Sequence, residues 1–269
     1  MIRGIGTTEW EAPFRDERLC PWAASLGLDT VSMEFDAQRC RDEADTRRWA
    51  LGWKEDLEKN GLVPSILGIN ILCNTGMQFA ENEEACRRYV ELAMYAAYVM
   101  NAPCVHLPSF LDGWIENEAQ LIQALKIIGY ACALGERYGI ETGYESVLWD
   151  GGYETVLSGV TSPAFFLLFD NENLSSRGKD PLRAYLRYPE LYRHAHFKHA
   201  AQGDLPAPVR ADTRFGGPDA VIRAMREHGF DGWVILESYY KKAGSVREAE
   251  ELVRDDLSYL RGAFGCTEG

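Results

Sequence analysis

The chain alternates from end to end between short apolar runs typical of β-strands and longer amphipathic segments typical of helices. Successive runs start roughly 25–40 residues apart, which is the combined length of a strand, a helix and two loops. An unbroken order of β-then-α units favours a parallel sheet whose helices lie on the outside. Eight such runs are present, at residues 2–6, 30–35, 62–72, 104–107, 140–145, 165–170, 194–198 and 233–237.

The segments between these runs each carry one apolar stripe, as expected of helices that cover a sheet. Residues 84–100 and 118–138 repeat apolar side chains at steps of three and four residues. The last helix opens with Ser245 and Glu248 at the spacing of a capping box. We expect that helix to point one set of residues inward, namely Val246, Ala249, Val253, Leu257 and Leu260.

Eight β-then-α units predict an α/β protein with a single (β/α)8 TIM barrel that spans residues 1–269 as one domain. The length of 269 residues suits a closed barrel, which uses about 250, and no Pro/Ser/Gly-rich linker divides the chain. An open doubly wound sheet is the alternative. Such a sheet normally has fewer strands and a glycine-rich first turn, whereas Gly4 and Gly6 give only part of that fingerprint.

Charge and cysteine content limit the classes of partner. The 28 Lys+Arg against 41 Asp+Glu give a net charge of −13, which disfavours a broad nucleic-acid or anionic-membrane surface. The longest apolar run, residues 92–100, is far shorter than the ~20 residues that span a bilayer, and the first residues lack the apolar core of a secretory signal. Seven cysteines without a C-x-x-C pair suggest reduced thiols. We therefore expect a cytoplasmic protein.

Each of the last four predicted strands leads to an ionisable side chain in its second half or at its end: Glu145, Asp170, His196 and Glu237. Barrel strands are covered on both faces, so a carboxylate in mid-strand costs several kcal/mol unless it is paired or bound to a metal. At the carboxyl end of a strand it reaches the barrel mouth, where barrel active sites are built. Three carboxylates and one imidazole suit a divalent ion: manganese, magnesium, cobalt or zinc.

For some single residues, a purely structural role remains an alternative to a role in the metal site. Asp170 could cap the turn-like residues that follow it, and Glu34, at the end of the second strand, could be a cap or an ion-pair partner. His106, on the short fourth strand, could be a packed core histidine. In residues 194–199 the side chains of His194, His196 and Lys198 share one strand face and that of His199 lies on the other, so only some of the histidines can be ligands.

Several phrases carry a family resemblance in the expected order along the chain: SLGLDTVSME at 25–34, GIETGYE at 139–145, FLLFD at 166–170, HAHFK at 194–198 and HGFDGWVILE at 228–237. They resemble the xylose isomerase-like barrels, a family of sugar isomerases and epimerases, inosose dehydratases and, more remotely, apurinic endonucleases. The resemblance covers nearly the whole chain. It departs at Asn173, where the family often has histidine, and at His199, where an aspartate is expected.

This resemblance implies that Glu145, Asp170, His196 and Glu237 bind one divalent ion, with manganese as the first expectation. It also implies that Glu145 and Glu237 form the acid/base pair on opposite faces of a keto sugar, which reacts through an enediolate. The expected function is a metal-dependent isomerase or epimerase of a keto sugar or sugar derivative. A lyase or dehydratase acting on a keto-inositol or a 3-keto-glycoside would use the same chemistry and is the alternative.

The remaining expectations concern substrate and partners. Expected substrate contacts are His106, Lys198, Asn173 and Trp10; Tyr144, Trp149 and Tyr239 are further aromatic candidates, and Arg177, Lys179 and Arg214 could bind an anion or simply lie in solvated loops. The expected partner is a small carbohydrate, and a homo-oligomer or a hetero-subunit is compatible with the sequence. Two remote alternatives are a non-catalytic binding subunit and a nuclease of the apurinic-endonuclease type, which would need more histidines and a basic groove.

Overall fold

Eight parallel strands follow one another in chain order and close into a barrel, so the (β/α)8 prediction is confirmed. The computed structural model describes residues 2–201 and 205–266. The first and last barrel strands pair to close the barrel, with Gly4 opposite Trp233. The barrel strands are β1 Gly4–Thr8, β2 Thr30–Glu34, β3 Val63–Gly68, β4 Cys104–Pro108, β5 Glu141–Glu145, β6 Phe165–Asp170, β7 Tyr192–Phe197 and β10 Trp233–Leu236.

Gly6 explains the partial glycine fingerprint of the first strand. A Cβ atom at this position would lie 2.3 Å from the backbone oxygen of Thr30, on the neighbouring strand β2. The glycine is therefore needed for close strand packing, and no nucleotide-binding turn is required to explain it.

The third strand is shorter than its apolar run suggests. Strand β3 ends at Gly68, and the chain turns into helix α3, Ile71–Thr75, so the predicted extension of this strand to residue 72 is wrong. After β7 the chain adds a short antiparallel pair, β8 Ala200–Ala201 and β9 Leu205–Pro206. An apolar run does not by itself distinguish a strand from a buried helical turn.

The helices begin and end close to their predicted positions. Ser245 accepts a hydrogen bond from the backbone N–H of Glu248 at 3.1 Å, so the predicted cap is confirmed. Val246 is 41% exposed, and its predicted inward position is wrong because the first residue of the helix lies outside the core. The helices are α1 Leu19–Ser25, α2 Glu43–Lys59, α3 Ile71–Thr75, α4 Glu83–Met100, α5 Glu118–Tyr138, α6 Gly152–Gly159, α7 Asn171–Ser176, α8 Pro181–Arg187, α9 Pro218–Glu227 and α10 Val246–Phe264.

Contacts group the described residues into two compact units. The first lies within 1–32, 57–63 and 167–269, and the second within 33–56 and 64–166. In the first unit, the ring of Phe169 packs against those of Tyr185, Tyr192 and Phe197 at centroid distances of 5.8–6.2 Å. Successive side chains along a strand point to opposite faces. Because Phe169 packs against α8, the next residue, Asp170, lies on the opposite face of β6.

The second unit is built around β4 and β5. These strands pair in register from Cys104 opposite Glu141 to Pro108 opposite Glu145. Helices α4 and α5 contribute a largely buried face to this unit, including Leu121 and Ile128. Within the described residues, no helix has the length and apolar character needed to cross a membrane.

Candidate active site

Three of the predicted ligands, Asp170, His196 and Glu237, lie together in the first compact unit. Asp170 ends β6 and is in register with His196 of β7. Glu237 directly follows β10, and its backbone N–H donates to the carbonyl oxygen of Phe197 at 3.0 Å. His196 Nδ1 is 3.3 Å from Glu237 Oε2 and 3.8 Å from Asp170 Oδ2. Two acidic oxygens thus converge on one imidazole nitrogen.

The side chain of Lys198 contacts the same two carboxylate oxygens. Its Nζ atom lies 2.8 Å from Asp170 Oδ2 and 3.1 Å from Glu237 Oε2. Lys198 is only 8% exposed, so the structure excludes a solvent-facing lysine. The ammonium group supplies positive charge to a buried pair of carboxylates, which would otherwise repel each other.

Asn171 fixes the backbone that carries Lys198, a role that the sequence reasoning missed. The Asn171 side chain accepts a hydrogen bond from the Lys198 N–H at 2.8 Å and donates one to the Lys198 carbonyl at 2.9 Å. A buried asparagine directly after a strand-ending aspartate was the available signal. These paired bonds hold the chain where it leaves β7.

The charges around Glu237 keep its carboxyl group ionised. Burial by itself would raise the pKa of Glu237, but the neighbouring His196 and Lys198 act in the opposite direction and the net pKa is lowered. A carboxylate that stays ionised while buried can bind a cation or accept a proton during a reaction.

Asp170 has a second role, which the sequence had left as an alternative. Its Oδ1 atom accepts a hydrogen bond from the backbone N–H of Asn173 at 2.7 Å and so caps α7. Its other oxygen, Oδ2, faces His196 and Lys198. The Asp170 carboxylate therefore caps a helix with one oxygen and contacts the candidate site with the other. The cap fixes the direction in which Oδ2 points.

In the second unit, Glu145 and His106 form a close pair. His106 Nε2 lies 2.8 Å from Glu145 Oε2, and the two residues are 5% and 4% exposed. They come from the adjacent strands β4 and β5. A core histidine packed only among apolar groups would not lie against a carboxylate, so this contact supports the prediction that His106 belongs to the site.

The predicted aromatic contacts differ in their surroundings. Trp10 follows β1, is 42% exposed, and has Lys241 Nζ at 4.3 Å and the Arg15 guanidinium at 4.8 Å from its ring centroid. Tyr144 is buried, with its hydroxyl 3.2 Å from Ser109 Oγ, which fits core packing. Trp149 and Tyr239 are half-buried. The role of Trp10 as a substrate contact stays a prediction.

Arg214 belongs to an ionic cluster that the sequence did not predict. Its guanidinium binds Asp212 at 2.8 and 2.9 Å and also pairs with Glu172, while its Nη2 atom is 3.5 Å from His199 Nδ1. Hydrogen bonds to Asp212 and Glu172 raise the pKa of Arg214. The guanidinium is thus already paired with two carboxylates, which argues against the anion-binding alternative for Arg214. Arg177 is exposed on its loop and Lys179 is half-buried.

Comparison with known proteins places this chain in a family. The family model of the xylose isomerase-like TIM barrels matches residues 20–263, which is most of the chain. The chain belongs to this family. The resemblance predicted from the strand-end phrases is therefore confirmed. Membership alone defines neither the substrate nor the reaction.

Proteins similar to this chain in sequence or in fold include epimerases and a dehydratase. The chain is 25% identical over 276 residues to the 2-epi-5-epi-valiolone 7-phosphate 2-epimerase of an Actinoplanes species, covering 98% of this chain and 95% of the relative. It is 31% identical over 88 residues to an inosose dehydratase of Lacticaseibacillus casei, covering 27% and 30% of the two chains. D-psicose 3-epimerase from Clostridium cellulolyticum H10, solved with D-tagatose, is similar in fold, with a TM-score of 0.76 at 12% identity over 98% of this chain and 100% of that one.

Proposed function

We propose that the protein is a divalent-metal-dependent epimerase of a keto sugar or keto-cyclitol, working as one domain over residues 1–269. The observation that carries this proposal is the buried cluster of Asp170, His196, Glu237 and Lys198, at the ends of β6, β7 and β10. The cluster combines acidic oxygens, an imidazole and a hydrogen-bond donor. These are the groups that proton transfer next to a carbonyl requires.

The donor set fits a divalent cation. Ligand atoms bonded to one ion at about 2.0–2.2 Å lie about 3–3.5 Å from each other. The His196 nitrogen is 3.3 Å from the Glu237 oxygen and 3.8 Å from the Asp170 oxygen, close to that spacing. Glu145 is proposed as the fourth ligand, because β5 precedes β6 in the barrel and the carboxyl ends of barrel strands open on one mouth. Mixed oxygen and nitrogen ligands suit manganese, with magnesium, cobalt or zinc as alternatives.

When bound, the ion would act as a Lewis acid that stabilises the negative charge developing on the substrate oxygen. Glu145 removes the proton from the carbon next to the carbonyl, and the 2.8 Å contact with His106 orients its carboxylate. Glu237 returns a proton on the opposite face of the substrate, which inverts that carbon. Lys198 donates a hydrogen bond to the oxygen on which charge builds, an interaction that strengthens in the transition state.

Epimerisation is favoured over elimination by the relatives. The epimerase relative aligns with this chain over nearly the full length of both proteins, whereas the inosose dehydratase aligns over 27% of this chain. The dehydratase similarity keeps a lyase acting on a keto-inositol as the second candidate. Both reactions begin with the same proton removal by Glu145, so they differ only in how the intermediate decays.

A substrate panel tests the proposal. Metal-free protein is loaded with Mn²⁺ and incubated with D-fructose, D-psicose, D-tagatose, 2-keto-myo-inositol and 2-epi-5-epi-valiolone 7-phosphate, and products are separated by chromatography. We expect an epimer from at least one compound, formed with Mn²⁺ and not after chelation. Loss of water from 2-keto-myo-inositol would support the lyase instead. Stoichiometric binding without turnover by any compound would contradict both enzymatic functions.

A further inference from the structure

The loop after β1 carries a buried carboxylate that the proposed reaction does not use. Glu11 lies three residues beyond β1, at the carboxyl end of a barrel strand, and is only 5% exposed. Its carbonyl oxygen accepts a hydrogen bond from the Lys241 N–H at 2.7 Å, and its Oε1 accepts one from Lys241 Nζ at 3.3 Å. Lys241 Nζ also donates to the carbonyl of Trp10 at 3.1 Å. The loop after β1 is thus tied to the turn that follows Glu237.

One oxygen of this carboxylate is left without a hydrogen bond. Lys241 contacts Oε1, but the buried Oε2 atom has no hydrogen-bond partner among the described residues. A buried polar atom without a partner destabilises a protein by about 1–3 kcal/mol, and more if it is charged. Such an atom at a barrel mouth is typical of a binding group whose partner arrives with the ligand.

The charges that act on Glu11 include those of the candidate active site. Burial raises the pKa of Glu11 to about 7; Lys241 and Lys198 act to lower it, and Glu237 acts to raise it. The proposed acid/base residue and the proposed oxyanion donor are therefore close enough to influence the Glu11 carboxylate. Glu11 is therefore electrostatically coupled to Lys198 and Glu237.

We propose that Glu11 is a substrate-binding residue whose Oε2 atom accepts a hydrogen bond from a neutral hydroxyl group of the sugar or cyclitol. This inference rests on the proposed function. Lys241 is the positioning residue, because its ammonium group holds Oε1 and leaves Oε2 to bind the ligand. A site that pairs its own buried polar atom with a substrate hydroxyl discriminates strongly against compounds that lack the hydroxyl.

The chemistry of a carboxylate restricts which part of the substrate it can bind. Above about pH 7, where the Glu11 carboxyl group is ionised, its oxygens accept hydrogen bonds from hydroxyl groups and repel phosphate, which is itself an anionic acceptor. Glu11 should therefore face an unphosphorylated part of the ligand. If the substrate carries a phosphate, we expect that phosphate to lie away from the loop after β1.

The variant Glu11→Gln tests this role while keeping the shape of the side chain. Lys241 favours an oxygen on its side, so the amide oxygen should face Lys241 and the NH2 group should occupy the place of Oε2. The group offered to the ligand then changes from an acceptor to a donor. The matched control is Glu17→Gln, which changes an exposed glutamate in the segment that follows.

The experiment measures calorimetric binding of D-psicose, 2-keto-myo-inositol, D-fructose and D-fructose 6-phosphate to the Mn²⁺-loaded wild type and both variants. Steady-state kinetics follow for any compound that is turned over. For the compounds that the wild type binds, we expect Glu11→Gln to raise Kd or KM roughly 10–100-fold, the effect of losing a hydrogen bond to a charged group. Affinity for Mn²⁺ and kcat should change little, and Glu17→Gln should match the wild type.

The outcomes separate this inference from the proposed function. Turnover with unchanged KM in Glu11→Gln overturns the inference alone. Weaker binding in Glu11→Gln, with no turnover by any form of the protein, supports the inference and contradicts the enzymatic function. Weaker binding of D-fructose 6-phosphate together with unchanged binding of D-fructose would show that Glu11 acts on the phosphate, which overturns the inference. No binding of any compound by the wild type would overturn both.

Discussion

Lys198 places a positive charge against two carboxylate oxygens that the proposed metal ion also needs. Its Nζ lies 2.8 Å from Asp170 and 3.1 Å from Glu237. Removing the ammonium group removes both a transition-state hydrogen bond and a competitor for the metal. We therefore predict that Lys198→Met lowers kcat/KM roughly 10–1000-fold, while its affinity for Mn²⁺ is no weaker than that of the wild type.

Titration with Mn²⁺ and steady-state kinetics on the compound that turns over best check this prediction. Lys126→Met is the control, since it removes a half-exposed lysine on α5 that does not contact the cluster. Near-normal kcat/KM in Lys198→Met would remove this lysine from the reaction. A large loss of Mn²⁺ affinity would mean that Lys198 mainly organises the ligands.

Asp256 on α10 is a buried acid that is not among the proposed active-site residues. It accepts hydrogen bonds from the Tyr240 hydroxyl and the Val209 N–H, both at 2.7 Å. Burial raises its pKa to about 6, above the value near 4 expected in the unfolded chain. Its favourable contribution to the free energy of unfolding is therefore complete below about pH 4 and is lost as the pH rises through about 6.

The asparagine side chain in Asp256→Asn cannot ionise, so this variant should lose the pH dependence of the unfolding free energy that Asp256 contributes. We predict that the difference in unfolding free energy, wild type minus Asp256→Asn, decreases by about 2 kcal/mol between pH 4 and pH 7. Urea unfolding at pH 4, 5.5 and 7 measures the difference. Asp255→Asn, at a more exposed neighbouring position paired with Arg210, is the control. A difference that stays constant or grows with pH would contradict the prediction.

At the scale of elements, the start of α7 is also the edge of the active site. Asp170 caps this helix through Oδ1, and asparagine caps helices about as well as aspartate does. We predict that Asp170→Asn weakens Mn²⁺ binding at least about 100-fold. Even the mutation of a residue that only hydrogen-bonds to a metal ligand lowers metal affinity by about 10–100-fold. The melting temperature of the metal-free protein should stay within about 2 °C of the wild type, because the cap is kept.

Asp180→Asn provides a matched comparison. Asp180 caps α8 by accepting hydrogen bonds from the N–H groups of Leu182 and Arg183, and it is not a proposed ligand. Its asparagine variant should bind Mn²⁺ like the wild type. Equal Mn²⁺ affinity in Asp170→Asn and Asp180→Asn, measured by titration, would exclude Asp170 from the metal site.

The elements whose bounds the sequence predicted correctly are those with a strong local pattern. Strand β6 and helix α5 have their predicted bounds, because an apolar run ending on Asp170 and a long apolar stripe ending at Gly139 are local signals. Gly139 ends α5 with a φ of 71°, a left-handed conformation that glycine adopts without strain. Helix α3 was missed because the apolar residues before and within it do not reveal the turn.

At the scale of the whole molecule, the order of strands and the polar ends of the last four were predictable. Both come from periodicity and from the cost of placing a carboxylate inside a barrel. The pairing of Arg214 with Glu172 and of Lys241 with Glu11 was not predictable. Each joins two residues that are far apart in the sequence, and neither leaves a repeating pattern.

The central claim is that two glutamates move a proton next to a substrate carbonyl with the help of a metal ion. Its most direct test is mass spectrometry and NMR of the product formed in D₂O by the Mn²⁺-loaded protein. We predict one deuterium at the inverted carbon, because the proton that Glu237 returns on the opposite face comes from solvent. Glu145→Gln and Glu237→Gln should lose this exchange. Product formed without deuterium at that carbon, or no exchange with any keto sugar or keto-cyclitol, would contradict the claim.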